Sequence, residues 1–382
     1  MRITILTGGL EPGADGVGDY ARLLAGECSS RGVRCQVVAV ADRHVDGAST
    51  DPESGVEFVR ISGKESWSQR FLRVREAVQG FSPDWVSLQF VPYAFQRWGL
   101  PVGLIKRLPG AIATARLHLM LHEIWIHGEG SWRRRLISAG QRRCVLALCR
   151  RPGTLVHTSN RTYQRMLELH HVHACLLPLF GNVPVSTRDA REWLPAALPD
   201  IGADMVARRA GWWLCVMFGT IHPEWPPEPL MGRLLQAAAE HGKRVGIFSV
   251  GRLGAGEALW TTWQNRYRDR ATMVRLGEQP VERISELLNT VDFGFATSPY
   301  ALIHKSGTVA AMLDHGLSVI VNREDDSFAP GRTEEGTADE LVIRIDERFA
   351  ERLSGASRRP PRWRLPETAA RFIADLNASS PS

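Results

Sequence analysis

The sequence predicts an α/β protein built from two Rossmann-like, doubly wound domains, and three observations lead to this prediction. Short β-branched and apolar segments alternate with segments of helical periodicity, which is typical of parallel sheets covered by helices. The alternation stops between Phe180 and Arg209, where Pro184 and Pro195 interrupt it. At 382 residues the chain also exceeds what a single hydrophobic core usually supports.

The first domain, predicted for residues 1–185, opens with a strand, a glycine-rich loop and a helix. The strand is Arg2–Thr7, and apolar residues return at helical spacing after Asp19, which is a candidate helix cap. The helix ends near Gly32. Further strands are expected at 34–40, 56–61, 85–89, 116–121, 154–158 and 174–177, and helices at 67–78, 132–151 and 160–169.

The glycine-rich loop is a candidate ligand site. Glycines let a backbone approach a ligand closely, and the free N–H groups at a helix start favour an anion or a sugar hydroxyl. The spacing differs from G-x-G-x-x-G, so a nicotinamide cofactor is not indicated. A tight turn that binds nothing is the alternative.

The second domain is predicted for residues 210–360, after an interdomain connection at 186–209. Its strands are expected at 212–218, 245–250, 272–276, 292–297 and 317–321. The remaining segment, 361–382, contains a helix at 366–376 that is long enough to return to the first domain, followed by a tail. In doubly wound domains ligands bind at the carboxyl ends of the strands, so two facing domains would form one cleft.

Composition and charge exclude several classes of protein. No apolar run is long enough to span a membrane and the amino terminus enters a strand directly, so we expect a cytoplasmic protein. The six cysteines form no C-x-x-C pair, which argues against a zinc site or disulfides and favours buried thiols. No nucleic-acid-binding module is indicated.

Basic residues are concentrated in the predicted helix Trp132–Arg151, and the net charge is +6. Such a helix can rest on anionic lipid at the inner membrane face or steer an anionic substrate. A solvated surface helix is the commoner explanation and is preferred. Lysine is rare in this arginine-rich chain, and its four occurrences are Lys64, Lys106, Lys243 and Lys305.

Several segments, in order along the chain, resemble those of GT-B glycosyltransferases of the family 4 type. They are Gly16–Ala25, Leu88–Tyr93, His122–Glu123, Thr158–Ser159, Phe218–Pro223, Leu276–Gly277, Ile284–Ser285, Asp292 and Lys305–Gly316. The resemblance implies transfer of a sugar from a nucleoside-diphosphate sugar to an acceptor hydroxyl, with retention of configuration and without a metal ion. No cofactor beyond this substrate is expected. The oligomeric state and the identities of donor and acceptor stay open.

The resemblance places the donor mainly on the second domain. A departing nucleoside diphosphate gathers negative charge, which cations and helix-start N–H groups can stabilise. Lys305 directly precedes a predicted helix start, so an ammonium and a helix N-terminus would meet there. The alternative for Lys305 is an ordinary surface lysine. Arg252, which follows a predicted strand, is a second candidate for the phosphates, and its alternative is an ordinary surface arginine. The predicted donor contacts are Gly219, Arg252, His304, Lys305, Ser306, Gly307 and Thr308.

The first domain would hold the acceptor and the reacting centre. In similar transferases a histidine in the place of His122 lies against the donor sugar, whereas a buried structural histidine is the alternative. Glu123 could orient an acceptor or act as a general base if configuration is inverted. The further acceptor-side candidates are Asp15, Gly16, Gly18, Asp19, Gln89 and Tyr93.

Two departures from the family pattern keep a second function open. The family usually holds two glutamates where this chain has Ile303 and Ala311, and a lysine a few residues beyond Gly219 is missing from 222–227. A GT-B scaffold that has lost catalysis and serves as a partner subunit is therefore the alternative. A nucleotide-sugar epimerase would need more acidic and histidine residues than can be placed here.

Overall fold

A computed structural model describes residues 1–53, 55–112, 114–126, 131–198, 202–324 and 339–379. Within these residues the chain divides into two compact units, 1–179 with 365–379, and 180–324 with 339–364. The second unit includes the described part of 186–209, which the sequence analysis treats as the interdomain connection. Residues 380–382 of the predicted tail lie outside the described residues.

The first unit contains an eight-stranded sheet with the order β3-β4-β2-β1-β5-β6-β7-β8. All neighbours are parallel except β3 and β4, which pair antiparallel. The strands are β1 (Arg2–Thr7), β2 (Arg34–Asp42), β3 (Ala48–Glu53), β4 (Val56–Ser62), β5 (Trp85–Phe90), β6 (Arg116–Leu121), β7 (Leu155–Thr158) and β8 (Cys175–Leu176). The edge strand β3 was not predicted, because its polar sequence carries no alternation of apolar residues.

Helices cover this sheet and include the helix from the end of the described chain. They are α1 (Gly16–Ser30), α2 (Trp67–Phe81), α3 (Pro92–Phe95), α4 (Val102–Ile112), α5 (Trp132–Cys149), α6 (Arg161–Glu168) and α14 (Leu365–Ala378). Helix α14 belongs to the first unit, where it packs against α1, which confirms the predicted return of the last helix. Its Phe372 is fully buried and lies edge-on to His118, with 5.0 Å between ring centroids.

The basic helix α5 has the surface exposure that its sequence predicts. Ser131 caps it by accepting a hydrogen bond from the backbone N–H of Arg134. Cys144 and Leu148 are buried, whereas the arginines at 133–135 and 142–143 are exposed. Among the described residues, no helix has both the length and the apolar character needed to cross a membrane.

The second unit contains a six-stranded parallel sheet with the order β11-β10-β9-β12-β13-β14. Its strands are β9 (Trp212–Phe218), β10 (Arg244–Val250), β11 (Thr272–Gly277), β12 (Phe293–Ala296), β13 (Ser318–Val321) and β14 (Val342–Arg344). Its helices are α7 (Leu194–Ala197), α8 (Gly202–Ala207), α9 (Leu230–Glu240), α10 (Glu257–Tyr267), α11 (Val281–Thr290), α12 (Gly307–Asp314) and α13 (Phe349–Gly355).

The second sheet is buried on both faces, as its continuous apolar strands predict. Along β9, Trp213 and Cys215 belong to one hydrophobic cluster, whereas Leu214 and Val216 belong to the cluster on the other face. Alternate side chains therefore face opposite layers, in agreement with the period of two in a strand. The doubly wound fold class is confirmed for both units.

Candidate functional site

The strand order of each sheet reverses direction at one point, and the predicted ligand loops lie there. In the first unit the reversal is between β1 and β5, and the glycine-rich loop leaves β1 at that point. In the second unit it is between β9 and β12, and Gly219 directly follows β9. Ligands of doubly wound proteins bind at the carboxyl ends of the strands beside such a reversal.

The glycine-rich loop is compact because its backbone approaches itself closely. A β-carbon at Gly18 would lie 2.5 Å from the carbonyl oxygen of Gly9, and one at Gly8 would lie 2.6 Å from the β-carbon of Ala94. Neither space accepts a side chain. Gly16 is the first residue of α1, and it is exposed at the helix start, where N–H groups point outward.

Asp15 and Asp19 both stabilise this loop through its backbone. The Asp15 carboxylate caps α1 by accepting hydrogen bonds from the N–H groups of Val17 and Gly18, at 3.0 and 3.2 Å. The carboxylate of Asp19 instead accepts from the N–H of Gly13, at 3.1 and 3.2 Å, and burial raises its pKa. The prediction that Asp19 caps the helix is wrong, because the helix begins three residues earlier.

His122 lies directly after β6 and is 6% exposed. Its Nε2 is 2.9 Å from the side-chain oxygen of Gln89, and the ring of Tyr20 meets it edge-on at 4.8 Å between centroids. Burial lowers the pKa of His122 to about 3, so its imidazole is neutral at physiological pH. The sequence identified this residue, but not the partners that fix its ring.

The other acceptor-side candidates differ in accessibility. Gln89 is 1% exposed, and its amide is hydrogen-bonded to Ser87 and His122. The prediction that Gln89 lines an acceptor surface is therefore wrong, since it supports His122 from within the sheet. Tyr93 is 37% exposed on α3, and Glu123 is half-buried beside His122.

A cavity of about 330 Å³ in the first unit joins part of this set. Its lining includes Gly9, Asp15, Gly16, Arg43, His44 and Tyr93. The sequence alone does not single out Arg43 and His44. They follow β2 directly, so their position at the carboxyl end of a strand next to β1 was the signal that could have identified them.

Two of the donor-side candidates, Gly219 and Thr308, lie next to each other where a glycine follows β9. Gly219 has a φ of +82°, and a β-carbon there would lie 3.0 Å from the methyl carbon of Thr308. Gly251 follows β10 with a φ of +91°, and its β-carbon would lie 3.4 Å from Cα of Gly219. Two glycine turns therefore lie next to each other, beside Thr308 in the first turn of α12. Backbone without β-carbons suits close approach of a ligand.

The start of α12 is organised by its own hydroxyl groups. Ser306 caps the helix by accepting from the N–H of Val309, and its Oγ lies 3.0 Å from Oγ1 of Thr308. His304 and Lys305 are half-buried at the end of the preceding 3₁₀ turn, and Gly307 opens the helix. The predicted helix start directly after Lys305 is thus present, and Ser306 caps it.

Arg252 differs from the prediction in its surroundings. Its side chain is 60% exposed and forms an ion pair with Glu278, which follows β11. A contact between Arg252 and a phosphate would have to displace this carboxylate. The sequence alone does not single out Glu278, although this residue comes directly after Gly277, the last residue of the neighbouring strand.

Arg323 is a second cation that sequence analysis missed. It follows β13, its side chain is 20% exposed, and it lies 4.0 Å from the carboxylate of Glu224. Burial and the charge of Arg323 lower the pKa of His222, which belongs to the segment after Gly219. Arg323 therefore supplies positive charge close to the segment where the expected lysine is absent.

The two positions that lack the family's glutamates belong to the core of the second unit. Ile303 is 1% exposed, and Ala311 is fully buried in the same cluster. A β-carbon at Gly181 would lie 2.4 Å from Cα of Ala311, so the backbone is closely packed there.

No protein-family model and no curated protein sequence matches this chain. Solved structures match it over nearly its whole length. Anabaena HepE in complex with UDP and glucose has 16% identity over 100% of both chains, with a TM-score of 0.57. The catalytic domain of starch synthase IV from Arabidopsis thaliana, bound to ADP and acarbose, has 11% identity over 99% of both chains and a TM-score of 0.52. UDP-GlcNAc 2-epimerase from Neisseria meningitidis, bound to UDP-GlcNAc, has 9% identity over 100% of both chains and a TM-score of 0.50.

These identities are low, so the likeness concerns the fold. Together with the two parallel sheets, it shows that the protein has the GT-B fold. The narrower assignment to family 4 stays a prediction.

Proposed function

We propose that the protein transfers a sugar from a nucleoside-diphosphate sugar to an acceptor hydroxyl, by a metal-independent reaction that retains configuration. The observation that carries the proposal is the start of α12, where Lys305 and the Ser306 cap precede Thr308, whose methyl carbon lies beside the turn at Gly219. The solved structures with the same fold contain UDP, ADP or UDP-GlcNAc, which supports a nucleoside diphosphate as the ligand.

The chemistry required of this site is stabilisation of a leaving diphosphate. The free N–H groups of α12 and the ammonium of Lys305 would receive its negative charge. Arg323, half-buried after β13, would supply the cation that the 222–227 segment lacks. Charge-assisted hydrogen bonds of this kind are about twice as strong as neutral ones.

On the first unit, His122 would act as a neutral hydrogen-bonding group and not as an acid, because burial keeps its imidazole uncharged. The acceptor would occupy the cavity that Asp15, Arg43 and Tyr93 line. Glu123 would orient the acceptor hydroxyl.

Thermal shift with UDP, ADP and GDP tests the donor site. A nucleotide at 100 times its Kd stabilises the folded state by about 2.7 kcal/mol, so at least one should raise the Tm. We expect Lys305→Ala to weaken that nucleotide by about 10- to 100-fold, since a hydrogen bond to a charged group contributes about 1.5–3 kcal/mol. Lys64→Ala is the matched control, because Lys64 is 73% exposed and paired with Asp46. No shift with any nucleotide would refute the donor site.

Gly219→Ala is expected to weaken the same nucleotide about tenfold and to lower the free energy of unfolding by about 1–2 kcal/mol, the cost of a left-handed backbone for alanine. The added carbon would also press against Thr308 at the helix start. Isothermal titration and urea unfolding measure the two effects. Gly211→Ala, where a β-carbon meets nothing within 4 Å, should change neither.

Turnover separates a transferase from an inactive scaffold. Many transferases slowly transfer to water, so we expect hydrolysis of one nucleotide sugar and its loss in His122→Ala. Nucleotide binding without hydrolysis, and identical behaviour of wild type and His122→Ala, would favour the scaffold.

A further inference from the structure

The first unit contains a row of buried polar side chains that extends from α14 to His122. Ser87 and Gln89 lie two residues apart on β5 and therefore share a face of the sheet. Ser87 is paired in register with His118 on the neighbouring strand β6. The complete row, in spatial order, is Asp375, His157, His118, Ser87, Gln89 and His122.

Each neighbour in the row is within hydrogen-bond distance of the next. From His157 Nδ1 to His118 Nε2 the distance is 2.9 Å, and from His118 Nδ1 to Ser87 Oγ it is 2.8 Å. The Gln89 side-chain nitrogen lies 2.8 Å from Ser87 Oγ, and its oxygen lies 2.9 Å from His122 Nε2.

Asp375 forms the outer end of the row. Its Oδ2 lies 3.2 Å from His157 Nε2, and its side chain is 33% exposed. Both of these atoms are buried, and neither has a hydrogen bond of standard geometry within the described chain, so their contact is an electrostatic one. A carboxylate at this distance favours the proton on the nitrogen that faces it.

The interior of the row is uncharged. Burial lowers the pKa of His157 to about 4, and burial with the neighbouring rings lowers the pKa of His118 well below its usual range. Ser87, His118 and His157 are each at most 1% exposed. A neutral imidazole carries one N–H and one acceptor nitrogen, so each ring must donate on one side and accept on the other.

An ionised Asp375 therefore fixes the direction of every hydrogen bond. His157 carries its proton on Nε2, which faces the carboxylate, so its Nδ1 accepts from His118 Nε2. His118 Nδ1 then accepts from the Ser87 hydroxyl, and Ser87 accepts from the Gln89 amide N–H. The Gln89 oxygen is left to accept from Nε2–H of His122.

We propose that Asp375, acting through this row, is a positioning residue that holds His122 in the Nε2–H tautomer with Nδ1 as a hydrogen-bond acceptor. His122 Nδ1 makes no hydrogen bond to the described residues. Its use in catalysis rests on the proposed function, in which this nitrogen accepts a hydrogen bond from a substrate hydroxyl.

The opposite direction is sterically equal, so the geometry of the row does not choose between the two. If His157 instead accepted a hydrogen bond at Nε2 from α14, its bond with His118 and the bond of His118 with Ser87 would reverse, which frees the Ser87 hydroxyl to donate. With that hydroxyl donating to a turned Gln89 amide, His122 would carry its proton on Nδ1. The charge of residue 375 decides between these two states.

The test is the protonation of the imidazole nitrogens, measured by ¹⁵N NMR on the full chain with labelled histidine. In wild type at pH 7 we expect a protonated Nε2 and an unprotonated Nδ1 for His122. In Asp375→Asn, whose amide can donate to His157, the nitrogens of His122, His118 and His157 should shift together toward the other tautomer. His122 signals are assigned with His122→Gln.

Two variants serve as controls. Glu367→Gln removes the other carboxylate of α14, which is exposed, and should leave all three tautomers unchanged. In Ser87→Ala the row is interrupted, so adding Asp375→Asn should shift His157 and His118 and leave His122 as it is. A His122 with its proton on Nδ1 in wild type, or one that does not respond to Asp375→Asn, would overturn the proposal.

The tautomer measurement does not depend on enzymatic activity. If a nucleotide sugar is hydrolysed, we also expect Asp375→Asn to lower kcat about tenfold, as loss of an orienting partner commonly does, with KM for the donor nearly unchanged. If His122 shows the expected tautomers but no nucleotide sugar is turned over, the proposed function is refuted and the positioning role of Asp375 is supported. If a nucleotide sugar is turned over but the His122 tautomer does not respond to Asp375→Asn, only the positioning role of Asp375 is refuted.

Discussion

Phe372→Ala is expected to lower the free energy of unfolding of the first unit by about 3–5 kcal/mol, the usual loss for a buried phenylalanine. Phe372 is fully buried, and its ring lies edge-on to His118. The substitution removes the aromatic contact and leaves a cavity between α14 and the sheet. Hydrogen exchange of β6 and β7 amides, followed by mass spectrometry, measures the loss in the unit concerned.

Two further variants make this prediction specific. Phe372→Leu keeps most of the volume and should cost less than about 1.5 kcal/mol. Leu72→Ala removes an apolar side chain that is 47% exposed on α2, and should stay within about 0.5 kcal/mol of wild type. A loss below 1 kcal/mol for Phe372→Ala would mean that α14 contributes little to the first unit.

Mild acid is expected to destabilise the protein strongly, because several histidines are buried in the neutral form. Burial lowers the pKa of His122 to about 3 and those of His157 and His315 to about 4. In the unfolded chain a histidine has a pKa of about 6.5. As the pH falls from 6.5 toward 4, the unfolded state takes up protons and the folded state does not, so stability present above pH 6.5 is lost.

The expected loss between pH 7 and pH 5 is about 2 kcal/mol for each such histidine. His315 allows the test, since its Nδ1 donates to the carbonyl of Ala311 and its Nε2 accepts from Ser285, both at 2.7 Å. Urea unfolding at the two pH values should show that His315→Gln loses about 2 kcal/mol less than wild type. His171→Gln, at an exposed position, should show the wild-type loss. An equal loss in His315→Gln would contradict the assignment.

The sequence predicts the sheets well because parallel strands buried on both faces are continuous apolar runs. It does not reveal β3 or β14, which are edge strands, nor α4, whose Pro109 lies inside the helix. Edge strands bury less surface, so their pattern is weak. Pairing along the sheet, not the local sequence, stabilises them.

The candidate site could be predicted only where neighbours in sequence are also neighbours in space. The start of α12 is such a case, since Lys305 directly precedes Ser306, the residue that caps the helix. The carboxylate of Glu278 beside Arg252 and the row behind His122 depend on strand register, which single positions do not encode. The burial of Gln89 beside Ser87 and His122 depends on the same register.

The first unit is discontinuous in sequence, because the whole second unit lies between its sheet and its last helix along the chain. During translation all eight strands of that sheet are made before α14 exists, so the apolar surface that receives Phe372 is exposed until about 190 further residues have been added. The first unit, which is mostly synthesised first, can therefore complete its fold only after the second unit has been made. Nascent chains should need protection from aggregation throughout that interval, and ribosome-bound intermediates should bind holdase chaperones at this surface.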